Sequence, residues 1–204
     1  TTTTRSIASK IHEISRKHNN FDNNLTINII KDFHANEKYI SALADRIINH
    51  RKKYSSSKKL LLSFHGIPQS YIARDEPYQD QCFKTAELIV EKLQLKPESY
   101  DIVFQSRFGK SEWIKPYLAE TLEKLGKSNE DDIQVFCPGF VSDCLETIEE
   151  INEESRELFL ESGGKKFDYI PCLNGDSKFI DALESIIDNR DHLAISYKRI
   201  LEKI

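Results

Sequence analysis

The sequence predicts a doubly wound α/β fold, a parallel sheet with helices on both faces, on three observations. Short β-branched apolar runs alternate with longer segments of helical periodicity. Strands and helices follow one another in strict turn, as right-handed βαβ crossovers and a parallel sheet require. At 204 residues, 39% hydrophobic and 30% charged, the chain is long and apolar enough to bury a real core.

The elements follow in order. Residues 5–18 read as a helix, 25–30 as a first strand and 37–51 as a second helix. Tyr54-Ser55-Ser56-Ser57-Lys58-Lys59 is an exposed connection into the strand 59–64, which carries the longest apolar run, Leu60-Leu61-Leu62. A helix over 78–93, a strand over 101–105 and a helix over 111–125 come next. They are followed by the strand 133–137, the helix 143–162, the strand 167–170 and the helix 177–189. The last segment, 192–204, places Leu193, Tyr197, Ile200, Leu201 and Ile204 on one helical stripe that needs a partner.

Charge and cysteine usage exclude several classes. Lys and Arg total 29 against 33 Asp and Glu, a net charge of -4, so no basic field exists to hold a phosphate backbone and nucleic acid is not an expected partner. No apolar run approaches the roughly 20 residues that span a bilayer, and no signal segment opens the chain, so a soluble protein is expected. Cys82, Cys137, Cys144 and Cys172 form no C-x-x-C pair and are too sparse for a disulfide scaffold, which favours a reducing, cytoplasmic setting. The chain begins at Thr1 and contains no methionine, so a processed product or a fragment is expected.

In open parallel sheets ligands sit beyond the carboxyl ends of the strands. There His65 precedes Gly66 and Pro68, which turn the chain away and leave the imidazole at the sheet's edge, either as a base or transition-metal ligand or as a hydrogen-bonded structural residue. Glu146, Glu150 and Glu154 form a carboxylate file at i, i+4 and i+8, with Leu145, Ile148 and Ile151 on the other face. Such a file is either a solvated face or a functional one, and the helix dipole alone favours acidic residues in a first turn. Cys137-Pro138 reads as a haem-binding dipeptide or as a small buried residue before a turn. Trp113, with Phe64, Tyr71, Phe104, Phe108 and Phe140, is either core or the lining of a flat apolar pocket. Dinucleotide, Walker-type, nucleophile-elbow and H-E-x-x-H motifs are absent from the sequence.

Longer motifs go further. Ser63-Phe64-His65-Gly66-Ile67-Pro68, Asp75-Glu76-Pro77-Tyr78 with Gln81-Cys82, and Phe104-Gln105-Ser106-Arg107-Phe108-Gly109 with Trp113 and Pro116 occur in order. They are followed by Cys137-Pro138-Gly139-Phe140-Val141-Ser142-Asp143-Cys144-Leu145-Glu146-Thr147 and by Leu173-Asn174. In these motifs the chain resembles the C-terminal two thirds of the ferrochelatases, bacterial in style, which insert ferrous iron into protoporphyrin IX to finish haem.

The resemblance implies a catalytic and metal-holding pair, His65 and Glu146, and a metal or proton route continuing onto Glu150 and Glu154. It implies porphyrin contacts from Phe64, Gln105, Ser106 and Trp113. Protoporphyrin IX and Fe(II) are implied as substrates, with no permanently bound cofactor and no iron–sulfur cluster; peripheral membrane contact and oligomeric state stay open. Residues 1–41 are then a remnant of the family's first domain, 42–189 a second α/β domain with the motifs, and 190–204 a terminal helix packing on the first domain. A chain lacking the family's N-terminal stretch is expected to carry the catalytic pair without a complete active site. The rival readings are a coproporphyrin chelatase, a non-catalytic tetrapyrrole or haem carrier, and a divalent-metal domain built on the acidic helix.

Overall fold

A computed structural model describes residues 2–17, 28–54, 59–72, 76–128, 132–188 and 194–196. In chain order the elements are α1 (Thr2–Lys17), β1 (Asn28–Ile30), α2 (Glu37–Tyr54), β2 (Lys59–His65), the short α3 (Gln69–Ile72) and α4 (Tyr78–Leu93). A 3-10 turn at Pro97–Ser99 leads into β3 (Tyr100–Gln105), then α5 (Leu118–Lys127) and β4 (Asp132–Phe136). A π-helix at Glu146–Ser155, α6 (Arg156–Glu161), β5 (Lys166–Ile170), α7 (Ser177–Asp188) and β6 (Ala194–Ser196) complete it. The chain divides into two compact units, Thr1–Phe33 with Leu183–Ile204, and His34–Ala182.

The larger unit holds the predicted parallel sheet, four strands in the order β3-β2-β4-β5, every neighbouring pair parallel. β2 lies inside it, and Leu60 through Ser63 are wholly buried, because a parallel strand covered on both faces has no solvent side to alternate toward. Leu61 joins Leu118 and Leu122 of α5, Ile151 of the π-helix and Phe159 of α6 in one core cluster. Tyr39, Ile40, Leu43 and Ile47 of α2 and Ala86 and Ile89 of α4 are buried as well. α4 ends where Gln94 turns left-handed at φ 51, its N–H returning to Glu91 O at 3.1 Å, before Pro97 forbids continuation.

Four expectations need correction. The strand expected over 25–30 is observed only at Asn28–Ile30, with 25–27 outside the described residues, and it pairs antiparallel with β6 rather than joining the parallel sheet. The helix expected over 192–204 is replaced by strand at Ala194–Ser196, because the open backbone edge of Asn28–Ile30 supplies ladder bonds that outweigh a local helical stripe; the flanking 189–193 and 197–204 lie outside the described residues. The helix expected from residue 111 starts at Leu118. Its first turns are spent elsewhere: Gln69 N donates to Glu112 O and Ile114 N to Ile67 O, and Pro116 disfavours a helical residue before it. The fourth correction is the winding of the acidic helix. An α-helix is expected over 143–162, and Glu146–Ser155 is π-wound. In i→i+5 winding the buried side is Thr147, Ile151 and Ser155, and Leu145 and Ile148 face solvent.

Gly126 of α5 lies against the end of α6, where an added Cβ would stand 2.8 Å from Ser162 Cβ and 3.0 Å from its backbone. Helix propensity alone would make Gly126→Ala stabilising by about 1 kcal/mol. Because backbone blocks the methyl, destabilisation of about 1–3 kcal/mol is expected instead, checked by urea unfolding. A gain in stability would show that the two segments separate freely.

Candidate functional site at the strand-order reversal

The chain lays β3 on one side of β2 and then crosses to place β4 on the other, so the order reverses between β2 and β4. Loops leaving such neighbouring strands diverge and open a crevice at their carboxyl ends. His65 ends β2, and Cys137 to Glu146 leave β4 and open the π-helix. The half-buried imidazole has the rings of Trp113 and Phe140 as neighbours, with centroids 6.3 and 6.4 Å away. Its Nδ1 is 2.6 Å from Gly66 O. A carbonyl only accepts, so Nδ1 carries the proton and the lone pair of the neutral ring falls on Nε2. Gly66 is required for this close approach, since a Cβ there would stand 3.0 Å from Gln105 O and 3.1 Å from the Trp113 ring.

At the start of the π-helix, Glu146 is held below the usual carboxylate range by its own backbone N–H and by the Cys144 thiol, with the charge of His65, when that ring is protonated, adding least. Glu146 therefore stands ionised at neutral pH. Cys144, to which the sequence assigned no role beyond its place in the Cys137–Thr147 motif, supports that carboxylate; its place two residues before Glu146 at a helix start was the available signal.

Gln105 and Ser106 work on the π-helix rather than on open space. Gln105, 2% exposed, accepts from Ser63 Oγ at 2.8 Å and from the Cys137 thiol at 3.4 Å, and donates through Nε2 to Glu146 O at 3.3 Å. Ser106, at φ 63, donates its N–H to Glu150 Oε1 at 2.5 Å and its hydroxyl to Glu150 Oε2 at 2.6 Å. Half-buried Glu150 and exposed Glu154 line a cavity of about 390 Å³ with Arg107, Tyr117 and Glu120.

Phe64 and Trp113, also predicted to contact substrate, are both buried, as Gln105 is. Phe64 is 2% exposed and packs on Phe104 at 6.4 Å between centroids, because its register on an interior strand turns it into the core. Trp113 is 4% exposed, capped by Phe108 at 4.9 Å in edge-on contact, so the aromatic surface presented to solvent is Phe108 at 73% exposure. The Cys137-Pro138 alternatives also resolve: Cys137 is wholly buried and burial pushes its thiol well up, while Pro138 O accepts from Tyr39 OH at 2.9 Å. Asp75 lies outside the described residues. Among the described residues no three His, Cys, Asp or Glu side chains converge to hold a metal ion.

A family model described as Ferrochelatase matches residues 1–191. The ferrochelatase of Chromobacterium violaceum is 45% identical over 184 residues, covering 90% of this chain and 50% of that protein. That of Marinobacter nauticus is 48% identical over 160 residues, covering 78% and 43%. The chain thus spans about half the length of the curated relatives it matches. SirB from Bacillus subtilis, solved with Fe3+, shares the fold at a TM-score of 0.60 and 13% identity, over 91% of this chain and 65% of that one.

Asp143, at the mouth of the π-helix, titrates below the usual carboxylate range. Burial works to raise it, but hydrogen bonds from the Tyr169 hydroxyl, the Asn174 amide and Cys172 outweigh burial. Its contribution to stability is therefore complete above the ordinary carboxylate value of about 4 and is lost as pH falls through the lower folded value. The melting-temperature advantage of the parent over Asp143→Asn is expected to hold at pH 7 and shrink below about pH 4. Thermal unfolding from pH 7 to 3 checks it, and an advantage independent of pH would contradict the assignment.

Proposed function

The chain belongs to the ferrochelatase family, and from that premise we propose that it inserts ferrous iron into protoporphyrin IX to form haem, the last step of haem biosynthesis. The observation that carries this reading is that a histidine, His65, ends β2 and a carboxylate, Glu146, opens the helix that follows β4, the two strands between which the order reverses.

Metallation exchanges two pyrrole N–H protons for one divalent cation, so the site must accept two protons while handing over iron. Nε2 of neutral His65 takes one. The Glu146 carboxylate, ionised at neutral pH, takes the second, either directly or after holding the iron until the ring nitrogens displace it and free the carboxylate. Two ligands of this kind leave the iron's shell incomplete and its exchange easy, as a substrate metal requires. Phe108, set edge-on against Trp113, offers the exposed aromatic surface for a flat apolar macrocycle. Glu154 in solvent and half-buried Glu150 form a graded acidic approach toward Glu146 for the incoming cation or the leaving protons. A cytoplasmic setting belongs to the same proposal, supported by four free cysteines. No helix among the described residues is long and apolar enough to cross a membrane.

Zinc insertion into protoporphyrin, followed by absorbance in the intact protein with coproporphyrin alongside, tests the reading. His65→Ala and Glu146→Gln are each expected to slow insertion by about 100-fold or more, the scale of a lost general base. Glu154→Gln, exposed and further along the helix, is expected to slow it by less than about tenfold. Parental turnover in both of the first two variants would overturn the assigned roles, and porphyrin binding without turnover in the parent would favour a tetrapyrrole carrier.

A further inference from the structure

Apolar burial does little to anchor the segment that enters the π-helix: Ser142 is exposed, Phe140 is half-buried and Leu145 is 65% exposed. A polar clamp holds it instead, and its centre is Asn174, in the loop after β5. Asn174 adopts φ 53, a left-handed conformation that asparagine tolerates better than other side-chain-bearing residues. Its amide meets Asp143 twice. Nδ2 donates to Asp143 Oδ2 at 2.6 Å, and Oδ1 accepts from Asp143 N at 2.9 Å. Asn174 N donates to Val141 O at 2.9 Å, a third bond to the same segment.

Both ends of the clamp are braced. Arg46 of α2 donates to Leu173 O at 2.8 Å and pairs with Asp176 at 3.3 Å, fixing the loop that carries Asn174. On the other side Asp143 Oδ1 accepts from Tyr169 OH at 2.6 Å and Cys172 N at 3.1 Å, and Thr147 Oγ1 caps Cys144 N at 2.9 Å in the first turn of the helix. Only an amide fits the pair, because the position needs a donor toward a carboxylate and an acceptor toward a backbone N–H from one short side chain.

We propose that Asn174 is a positioning residue for Glu146: by gripping Asp143 through both amide atoms it sets the entry of the π-helix and with it the Glu146 carboxylate. This rests on the role proposed above for Glu146.

Asn174→Gly keeps the left-handed backbone and deletes the amide; Asn174→Asp keeps the acceptor and turns a second carboxylate on Asp143. Two measurements on the intact protein decide. Amide hydrogen exchange over residues 143–151 is expected to quicken about tenfold in both variants with β4 and β5 unchanged. In zinc insertion, kcat is expected to fall about tenfold with the porphyrin KM within about twofold of the parent, the signature of a displaced reacting group rather than lost binding. Unchanged exchange would overturn the clamp. Faster exchange with parental kcat would overturn the positioning role, and faster exchange throughout β4 and β5 in both variants would reduce Asn174 to a general stability residue. A parent protein that inserts no zinc would overturn the proposed function and with it the role of Glu146, while the exchange measurement still decides whether Asn174 orders the segment.

Discussion

Four elements meet on the buried amide of Gln105. It takes a hydroxyl bond from Ser63 on β2 and a thiol bond from Cys137 just after β4, and it gives one to the Glu146 carbonyl at the start of the π-helix. An unpaired amide in this interior would cost roughly 1–3 kcal/mol, so strands and helix are constrained to arrive together where every bond is made. Neighbouring Ser106 adds two short bonds to Glu150 one turn further on. The π-helix is thus tied to the sheet at Glu146 and Glu150, and the position of the candidate pair follows from the end of β3, a strand that contributes neither His65 nor Glu146.

The three carboxylates nearest the crevice are held mainly by neutral donors. Asp143 is served by a phenol, a side-chain amide and a backbone N–H, and Glu150 by a hydroxyl and a backbone N–H. Glu146 relies on its own N–H and a thiol, with a protonated His65 contributing least. Neutral donors keep a carboxylate ionised without cancelling its charge. The crevice therefore retains a negative field that suits a divalent cation, whereas lysine or arginine partners would have spent that charge internally.

Much of this was legible in the sequence because it depends on local pattern. The unbroken apolar run at Leu60-Leu61-Leu62 marks a strand covered on both faces, and the glycine and prolines after each strand mark where the chain leaves the sheet. His65 and Glu146 were found at strand and helix ends for that reason. The burial of Phe64 and Trp113 was not legible, because aromatic residues look alike to a pattern whether they line a crevice or close it from beneath. Only the pairing of residues 112–114 with 67–69 puts Trp113 under Phe108 and beside His65.

The acidic helix divides the two sources of information most sharply. Its glutamates recur every fourth residue, a spacing that keeps them neighbours under either α or π winding, so sequence alone determined that a carboxylate file exists and where it begins. Which side of that helix is buried was a tertiary decision. Thr147, Ile151 and Ser155 turn inward, and Leu145 and Ile148 are left in solvent. The two windings differ by one residue per hydrogen-bonded ring, a difference small enough for bonds from Gln105, Ser106 and Asn174, residues 31 to 44 positions away in the chain from the groups they hold, to accompany one and exclude the other. Local composition sets which elements form and what chemistry they carry; the winding and orientation of that chemistry come from long-range polar bonds that no local window contains.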